Sequence, residues 1–162
     1  MPTSNSHLDI FVGTWKLHSF VVFKKEDPLQ KEHYPFGSDA VGRIIYATDG
    51  YMNATLSHAN RTPFSVVLEQ SHLASEKEKN MAFDTYMNYT GRYLIHPKSK
   101  NTGIIEHHVD MAFNPSLIGS IQKRNYERYS NGMLQLSYDW KKHTASETKT
   151  YCFQLRWEKM AT

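Results

Sequence analysis

Apolar and polar residues alternate along much of this chain with a period of two, the pattern of a β-strand that has one face in a core. The first such stretch runs from Trp15 to Phe23, and four apolar side chains are expected to share its inner face: Trp15, Leu17, Val21 and Phe23. A second stretch, residues 52–57, repeats the pattern with Met52, Ala54 and Leu56. Both stretches therefore predict half-buried strands.

The turn-rich stretch between these strands predicts a β-hairpin. A β-branched and aromatic run, Val41–Tyr46, comes before Asp49-Gly50, and Tyr51 and Met52 follow it. A tight primed turn needs positive φ, which an Asp-Gly pair supplies. We therefore expect two antiparallel strands joined at Asp49-Gly50.

The second half of the chain is nearly all strand, interrupted by Pro, Gly and Asn turn signals. Five strands are predicted there: residues 92–96, 104–113, 120–129, 133–140 and 148–159. With the first three strands this gives about eight antiparallel strands, the number that closes a barrel able to hold one small ligand. The expected fold is all-β: a single closed antiparallel up-and-down β-barrel, one domain over residues 1–162.

One segment, residues 74–88, has a helical composition rich in Glu, Lys, Ala and Met. Ser75 and Glu78 have the spacing of a capping box at its start. Its apolar stripe is predicted to consist of three residues: Ala82, Tyr86 and Tyr89. Gly91 is expected to end this helix, which we expect to pack across one end of the barrel.

Composition and charge exclude several classes of protein. The net charge is only +3, with 19 basic and 16 acidic residues interspersed, so we expect no nucleic-acid partner. The single cysteine, Cys152, excludes an intramolecular disulfide and favours a reducing compartment. No apolar run approaches the ~20 residues of a membrane helix, and the first ten residues lack a signal-peptide pattern. A cytoplasmic protein with no membrane partner is expected.

Strand 104–113 carries the strongest candidate for chemistry. Five residues are predicted to share its inner face: Ile105, His107, Val109, Met111 and Phe113. His107 is then surrounded by hydrocarbon, while His108 points outward beside carboxylates. A buried imidazole with a shifted pKa can act as a general base near neutral pH. The alternative, a core histidine hydrogen-bonded to a tyrosine, has equal weight at this point.

Arg124 is the second candidate. It shares a strand face with Gln122, Tyr126 and Arg128, but neither face is cleanly apolar, so its direction is open. If it points inward, its charge needs a carboxylate, phenolate or enolate ligand to offset desolvation. The alternative, which we favour, is an arginine stacked on Trp15 or on another ring at a barrel end.

Tyrosines and other large side chains complete the predicted site. Tyr46 joins His107 and Arg124 as a catalytic candidate, because a phenol can orient a ketone or hydroxyl in an apolar pocket. The expected ligand contacts are Tyr86, Tyr89, Tyr93, Tyr126, Met52, Met111, Phe113 and Phe153. No histidines have metal-ligand spacing, and no phosphate loop or dinucleotide fingerprint occurs, so we expect neither metal nor cofactor.

Four segments of the chain resemble the fungal and bacterial lipocalin-like domain proteins: Gly13–Leu17, residues 40–52, Tyr89–Tyr93 and residues 107–136. One departure is residues 139–146, where relatives are expected to have a Pro-rich loop. The resemblance implies a small calycin-type barrel with an N-terminal segment, residues 4–11, plugging one end and an arginine beside the Gly-x-Trp. It also implies a link to natural-product pathways, in which such barrels act as cyclases and isomerases.

Two functions of different class remain at this point. The first is a cofactor-independent isomerase, cyclase or dehydratase that acts by acid-base catalysis on a small hydrophobic, natural-product-like molecule in the barrel. The second is a non-catalytic carrier or sensor for such a molecule, and haem binding is a weaker third by analogy with other intracellular barrels. Acid-base catalysis needs at least two opposed ionisable groups, which His107, Arg124 and the tyrosines provide, so the enzyme is slightly favoured. The ligand's identity and a homodimer stay open.

Overall fold

The computed structural model describes residues 8–27, 29 and 32–161, which form a closed antiparallel β-barrel of eight strands with one short extra strand. The strands are β1 (Gly13–Lys24), β2 (Glu32–His33), β3 (Val41–Tyr46), β4 (Tyr51–Ser57), β5 (Tyr86–Pro97), β6 (Thr102–Ala112), β7 (Ile121–Arg128), β8 (Leu134–His143) and β9 (Thr148–Lys159). The helices are α1 (Leu8–Phe11) and α2 (Glu76–Asp84), with 3-10 turns at Leu68–Leu73 and Pro115–Leu117. The predicted all-β barrel is confirmed.

The barrel closes through its first strand. Strands β3 to β8 each pair with the next strand in the chain, and β1 pairs with both β3 and β9. The extra strand β2 has only two residues, which pair with Val22 and Phe23 near the C-terminal end of β1. Closure pairs the backbone groups that an open sheet would leave at its edges.

The hairpin predicted at Asp49-Gly50 is confirmed, with Tyr46 opposite Met52 in the ladder. The connection has four residues, 47–50, longer than a two-residue Asp-Gly turn, and within it Ala47 N–H donates to the carbonyl oxygen of Tyr51 at 2.8 Å. Gly50 has φ of +88°, a conformation that L side chains rarely adopt. The turn signal therefore located the hairpin but not the length of its loop.

The predicted helix 74–88 is shorter than expected. Its start is confirmed, because Ser75 and Glu78 form the capping box, but α2 ends at Asp84. Tyr86, Tyr89 and Gly91 lie in β5, whose pairing with β4 overrides the helical composition. No residue of α2 is buried, so it has no apolar stripe in the core.

The barrel end is plugged by α1 instead, which buries Ile10 and Phe11. Trp15 is fully buried next to this plug, and its indole N–H donates to the carbonyl oxygen of Phe11 at 2.7 Å. The helical plug expected within residues 4–11 is therefore present at Leu8–Phe11, and residues 4–7 lie outside the described part. No helix in the described part is long and apolar enough to cross a membrane.

A bulge in β1 reverses the predicted alternation. The pairing of β1 with β9 shifts register between Leu17 and Ser19. Beyond this point Phe20 and Val22 are buried, and the expected inner residues Val21 and Phe23 are only half-buried. One extra residue in a strand moves every later side chain to the opposite face, which explains the error.

A second bulge, opposite Gly91, has the same effect at the end of β6. Gly91 pairs with Val109 while Thr90 pairs with Met111, so one residue of β6 is skipped. Met111 is consequently 65% exposed and Phe113 also points outward, in contrast to the predicted inner face. A Cβ on Gly91 would lie 1.9 Å from the carbonyl oxygen of His108, so this close approach requires glycine.

Candidate functional site

A cavity of about 290 Å³ occupies the barrel interior towards the end opposite the α1 plug. Most of its wall is apolar, with a large aromatic share: Phe20, Phe36, Tyr138, Phe153 and Trp157. Tyr138 and Phe153, which face each other across β8 and β9, stack with their ring centres 4.6 Å apart. Polar groups enter this apolar space from one side, on β5, β6 and β7: Tyr89, His107, Gln122 and Arg124.

His107 lies in the cavity wall on β6 and is only 1% exposed. Both ring nitrogens are bonded to phenols: Tyr46 Oη lies 2.9 Å from Nε2, and Tyr89 Oη lies 2.9 Å from Nδ1. His108, the next residue, lies outside the barrel with its Nε2 3.0 Å from a carboxylate oxygen of Glu106. The opposite orientations predicted for the two histidines are confirmed.

The environment keeps His107 neutral. Burial, followed by the charges of Arg124 and His108, lowers the pKa of His107 from 6.5 to about 3. A neutral imidazole has one N–H donor and one acceptor nitrogen, so one of its two phenol partners donates and the other accepts. With both nitrogens engaged and a pKa this low, His107 is a weak base at neutral pH.

Arg124 points into the cavity from β7, with its guanidinium carbon 4.0 Å from the centre of the Tyr138 ring. It donates to the side-chain oxygen of Gln122 at 3.2 Å and to the backbone carbonyl of Lys123 at 2.9 Å. Among the described residues, no carboxylate lies within ion-pair distance of Arg124.

Of the two possibilities expected for a stacked Arg124, Trp15 or another ring at a barrel end, the structure shows the second, because Arg124 covers Tyr138 in the cavity wall. The reason is register, because Trp15 on β1 lies opposite Lys159 on β9. The Lys159 ammonium lies 5.4 Å from the centre of the Trp15 ring and takes the predicted place of the arginine.

The phenols that face the cavity are neutral and can donate hydrogen bonds. Burial raises the pKa of Tyr89, and the nearby Arg124 opposes this with a smaller lowering effect. The pKa of Tyr138 is raised for the same reason and opposed by the same guanidinium. Both hydroxyl groups therefore keep their protons at neutral pH.

Four of the predicted site residues line the cavity: His107, Arg124, Tyr89 and Phe153. Tyr46, the third catalytic candidate, does not line it and instead binds the Nε2 atom of His107. The structure thus brings Tyr46 to the site only through the imidazole.

The other predicted contacts lie away from the cavity. Met52, Tyr93 and Tyr126 belong to the packed interior, where Tyr93 donates to the carbonyl oxygen of Ala47 at 2.8 Å. Tyr86 lies under the guanidinium of Arg61, with 4.9 Å between the guanidinium carbon and the ring centre. Three rings pack together outside the barrel: Phe83, Tyr86 and Phe113. Met111 is also exposed. Inward direction in a barrel therefore does not by itself give access to the ligand space.

Sequence reasoning missed two kinds of cavity residue. Tyr138 follows Leu134 and Leu136 at a spacing of two on β8, so strand alternation carried a signal for it. Phe36 comes from the loop before β3 and covers the cavity through its contact with Phe20, with ring centres 6.1 Å apart. No periodicity marks a loop residue, so this contact could not be predicted.

A closed barrel with a mostly apolar cavity and a few converging polar groups defines a barrel of the small-molecule-binding class. The family model described as a lipocalin-like domain matches residues 12–160 of the chain. The chain therefore belongs to the lipocalin-like domain family, which confirms the resemblance found in the sequence. No curated protein matches the chain.

Proposed function

We propose that the barrel binds a small, mostly apolar molecule that carries an anionic oxygen, a carboxylate, phenolate or enolate, and that Arg124 holds this oxygen. The observation that carries the proposal is a half-buried guanidinium that lines a mostly apolar cavity and has no carboxylate partner among the described residues. Desolvating an unpaired charge is costly, and an anionic ligand offsets that cost.

The geometry limits the size and shape of this ligand. The volume of about 290 Å³ is close to the lower end of ligand pockets, which start at roughly 300 Å³. The wall opposite the polar groups consists largely of rings, so a flat, apolar body of about two fused rings is favoured. Stacking on Tyr138 holds the guanidinium in one plane, which suits a bidentate contact with a carboxylate.

Binding of matched probes tests this proposal. We expect 2-naphthoate to bind more tightly than 2-naphthylmethanol, with binding followed by the fluorescence of Trp157 in the cavity wall. Arg124→Gln is expected to weaken naphthoate binding by ~10-fold or more and the alcohol much less, since a hydrogen bond to a charged group contributes about 1.5–3 kcal/mol.

Arg128→Gln is the matched control, because Arg128 lies on the same strand but is exposed and does not line the cavity. It removes the same charge from the chain without touching the site. Equal naphthoate affinity in the Arg124→Gln and Arg128→Gln variants would show that Arg124 is not the anion anchor.

A second candidate function is the cofactor-independent isomerase, cyclase or dehydratase. The observation that favours it is the hydrogen-bonded series Tyr46, His107 and Tyr89, which ends on a phenol at the cavity beside Arg124. In this proposal a water molecule takes the α-proton of a bound ketone while Tyr89, as the acid, donates a hydrogen bond to the carbonyl oxygen, and Tyr89 and Arg124 stabilise the enolate that forms. The substrate class remains a small hydrophobic, natural-product-like molecule.

Deuterium exchange into 2-tetralone, an enolisable apolar ketone, tests the catalytic candidate by NMR. We expect wild-type protein to accelerate exchange above the buffer rate, and Tyr89→Phe to lower the acceleration by ~10²-fold or more. Tyr93→Phe is the control, since its hydroxyl lies in the packed interior. Exchange at the buffer rate with wild-type protein rejects this candidate and leaves the binding proposal standing.

A further inference from the structure

We infer that Tyr46 and His107 are positioning residues that make Tyr89 present its hydroxyl hydrogen to the cavity, so that the site prefers a ligand acceptor to a ligand donor at this point. The first part of this inference concerns the protein alone. The second part, the selection of ligands, rests on the proposed binding function.

The argument starts at Tyr46, whose hydroxyl has one hydrogen-bond partner among the described residues, His107 Nε2 at 2.9 Å. Tyr46 is 1% exposed and packs edge-on against Phe11 and Tyr93, with ring centres 5.4 and 5.0 Å away. Tyr93 gives its own hydrogen to a backbone carbonyl. A buried hydroxyl hydrogen needs an acceptor, so Tyr46 donates to Nε2.

This direction decides the tautomer of His107. If Nε2 accepts from Tyr46, the single hydrogen of the neutral ring is on Nδ1, which lies 2.9 Å from Tyr89 Oη. His107 therefore donates to the oxygen of Tyr89. The opposite tautomer would leave the hydrogen of Tyr46 without an acceptor in the described interior.

Two protein neighbours of the Tyr89 oxygen, His107 and Arg124, are then donors. His107 donates through Nδ1, and the guanidinium of Arg124, which lies near Tyr89, has donors only. Among the described residues His107 is the one hydrogen-bond partner of Tyr89 Oη, so the hydrogen of Tyr89 is directed to the cavity that Tyr89 lines. The side-chain oxygen of Gln122 accepts from Arg124 and keeps a second lone pair.

The site therefore offers a ligand two kinds of donor, the Tyr89 hydroxyl and the Arg124 guanidinium, at one point of an apolar wall. A carboxylate or enolate oxygen accepts from both. A ligand hydroxyl or amine hydrogen at this point faces these donors and finds only the remaining lone pairs of oxygens that already accept, those of Tyr89 and Gln122, so a donor group is bound less well than an acceptor. This gives the specificity a physical origin in residues that do not contact the ligand.

The tautomer is measurable without a ligand. In protein labelled with ¹⁵N-histidine, long-range ¹⁵N–¹H correlation spectra distinguish the two neutral forms, and the signal of His107 among nine histidines is the one lost in His107→Gln. We expect the Nδ1–H form at pH 7. The Nε2–H form, or a charged ring, would overturn the inference while leaving the anion-binding proposal intact.

Tyr46→Phe tests the positioning role, since it removes one oxygen atom and keeps the ring that packs in the core. We expect the Nε2–H form to appear in this variant, because Nε2 no longer receives a hydrogen bond. We also expect the preference for 2-naphthoate over the donor probe 2-naphthylamine to fall by ~5-fold or more.

Tyr93→Phe is again the control, because it removes a buried phenol from the same cluster of rings without touching His107. It is expected to leave both the tautomer and the probe preference as in wild type. An Nδ1–H signal and a probe preference unchanged in Tyr46→Phe would show that Tyr46 does not position the site. Loss of naphthoate binding in Arg124→Gln alone supports anion binding and is independent of this result.

Discussion

At the plugged end of the barrel, large side chains pack against one another, whereas at the other end side chains of the same types leave an empty volume. Phe11 packs edge-on against both Tyr46 and Tyr126, with ring centres 5.4 and 5.0 Å away. At the other end, Phe20, Tyr138 and Phe153 surround a cavity of about 290 Å³. The two ends differ in packing rather than in the kinds of residue that they contain.

The comparison shows how one interior can provide both a core and a site. Tyrosines occur at both ends, but only those beside the cavity, such as Tyr89, can contact a ligand. His107 lies at the boundary, where it joins Tyr46 of the packed end to Tyr89 of the cavity. The packed end can thus hold the polar groups of the site in fixed directions.

The largest expected effect separates stability from binding. Phe11→Ala should lower the free energy of unfolding by about 3–5 kcal/mol, because Phe11 is fully buried and its removal leaves a cavity at the packed end. The affinity for 2-naphthoate should stay within ~3-fold of wild type as long as the protein is folded. Urea unfolding and probe titration measure the two quantities, and a large loss of affinity in folded protein would mean that the two ends are not separate.

The pH dependence of stability gives the next largest effect and tests His107, which lies between the packed end and the cavity. The pKa of His107 is about 3 in the folded protein and 6.5 as a free side chain, so the unfolded chain binds more protons between these values. The contribution of the neutral His107 to stability is therefore complete above about pH 6.5. It is lost as the pH falls towards the folded-state pKa, at roughly 1.4 kcal/mol per pH unit.

In the window from pH 6.5 to 5 carboxyl groups titrate little, and comparison with His107→Gln separates the contribution of this histidine from that of the other eight. Over this window we expect a loss of about 2 kcal/mol in wild type and a much smaller slope in His107→Gln. His108→Gln, which changes the neighbouring histidine outside the barrel, should keep the wild-type slope. Identical slopes in the two variants would contradict the burial of a neutral His107.

Filling the cavity should make the end of the barrel that contains it resemble the packed end. Ala54 lines the cavity, so Ala54→Leu is expected to place its added carbons in the empty volume and weaken naphthoate binding by ~10-fold, about 1.4 kcal/mol. Stability should change by less than ~1.5 kcal/mol, because the new atoms enter existing space. Ala112→Leu is the control at an inner position that does not line the cavity. Unchanged binding in Ala54→Leu would show that the probe binds elsewhere.

The smallest effect is expected outside the barrel, where Glu106 contacts His108 and Lys123. These hydrogen bonds, with Lys123 first, lower the pKa of Glu106 to about 2. Glu106→Gln should nevertheless change the stability little, because ion pairs at the protein surface contribute little. Naphthoate affinity should not change. A loss of binding would indicate that the outer face of β6 controls the site.

The residues around His107 illustrate how far local patterns reach. Alternation along β6 correctly gave the directions of Ile105, His107 and Val109, since these residues precede the bulge. It failed at Met111, because the bulge opposite Gly91 depends on the pairing partner and not on β6 alone. The composition of residues 74–88 likewise located the start of α2 at its capping box, but not its end, because Tyr86 is drawn into β5 by pairing with β4.

By itself the sequence determined the closed antiparallel barrel, its hairpin at Asp49-Gly50 and the inward direction of His107. These follow from periodicity and turn chemistry, which act over a few residues and are readable in any window. The tertiary structure alone decided that Arg124 lies over Tyr138 and that Tyr46 and Tyr89 bind opposite nitrogens of one imidazole. Such contacts join residues on different strands, and they depend on the register of every strand between them, which two bulges change.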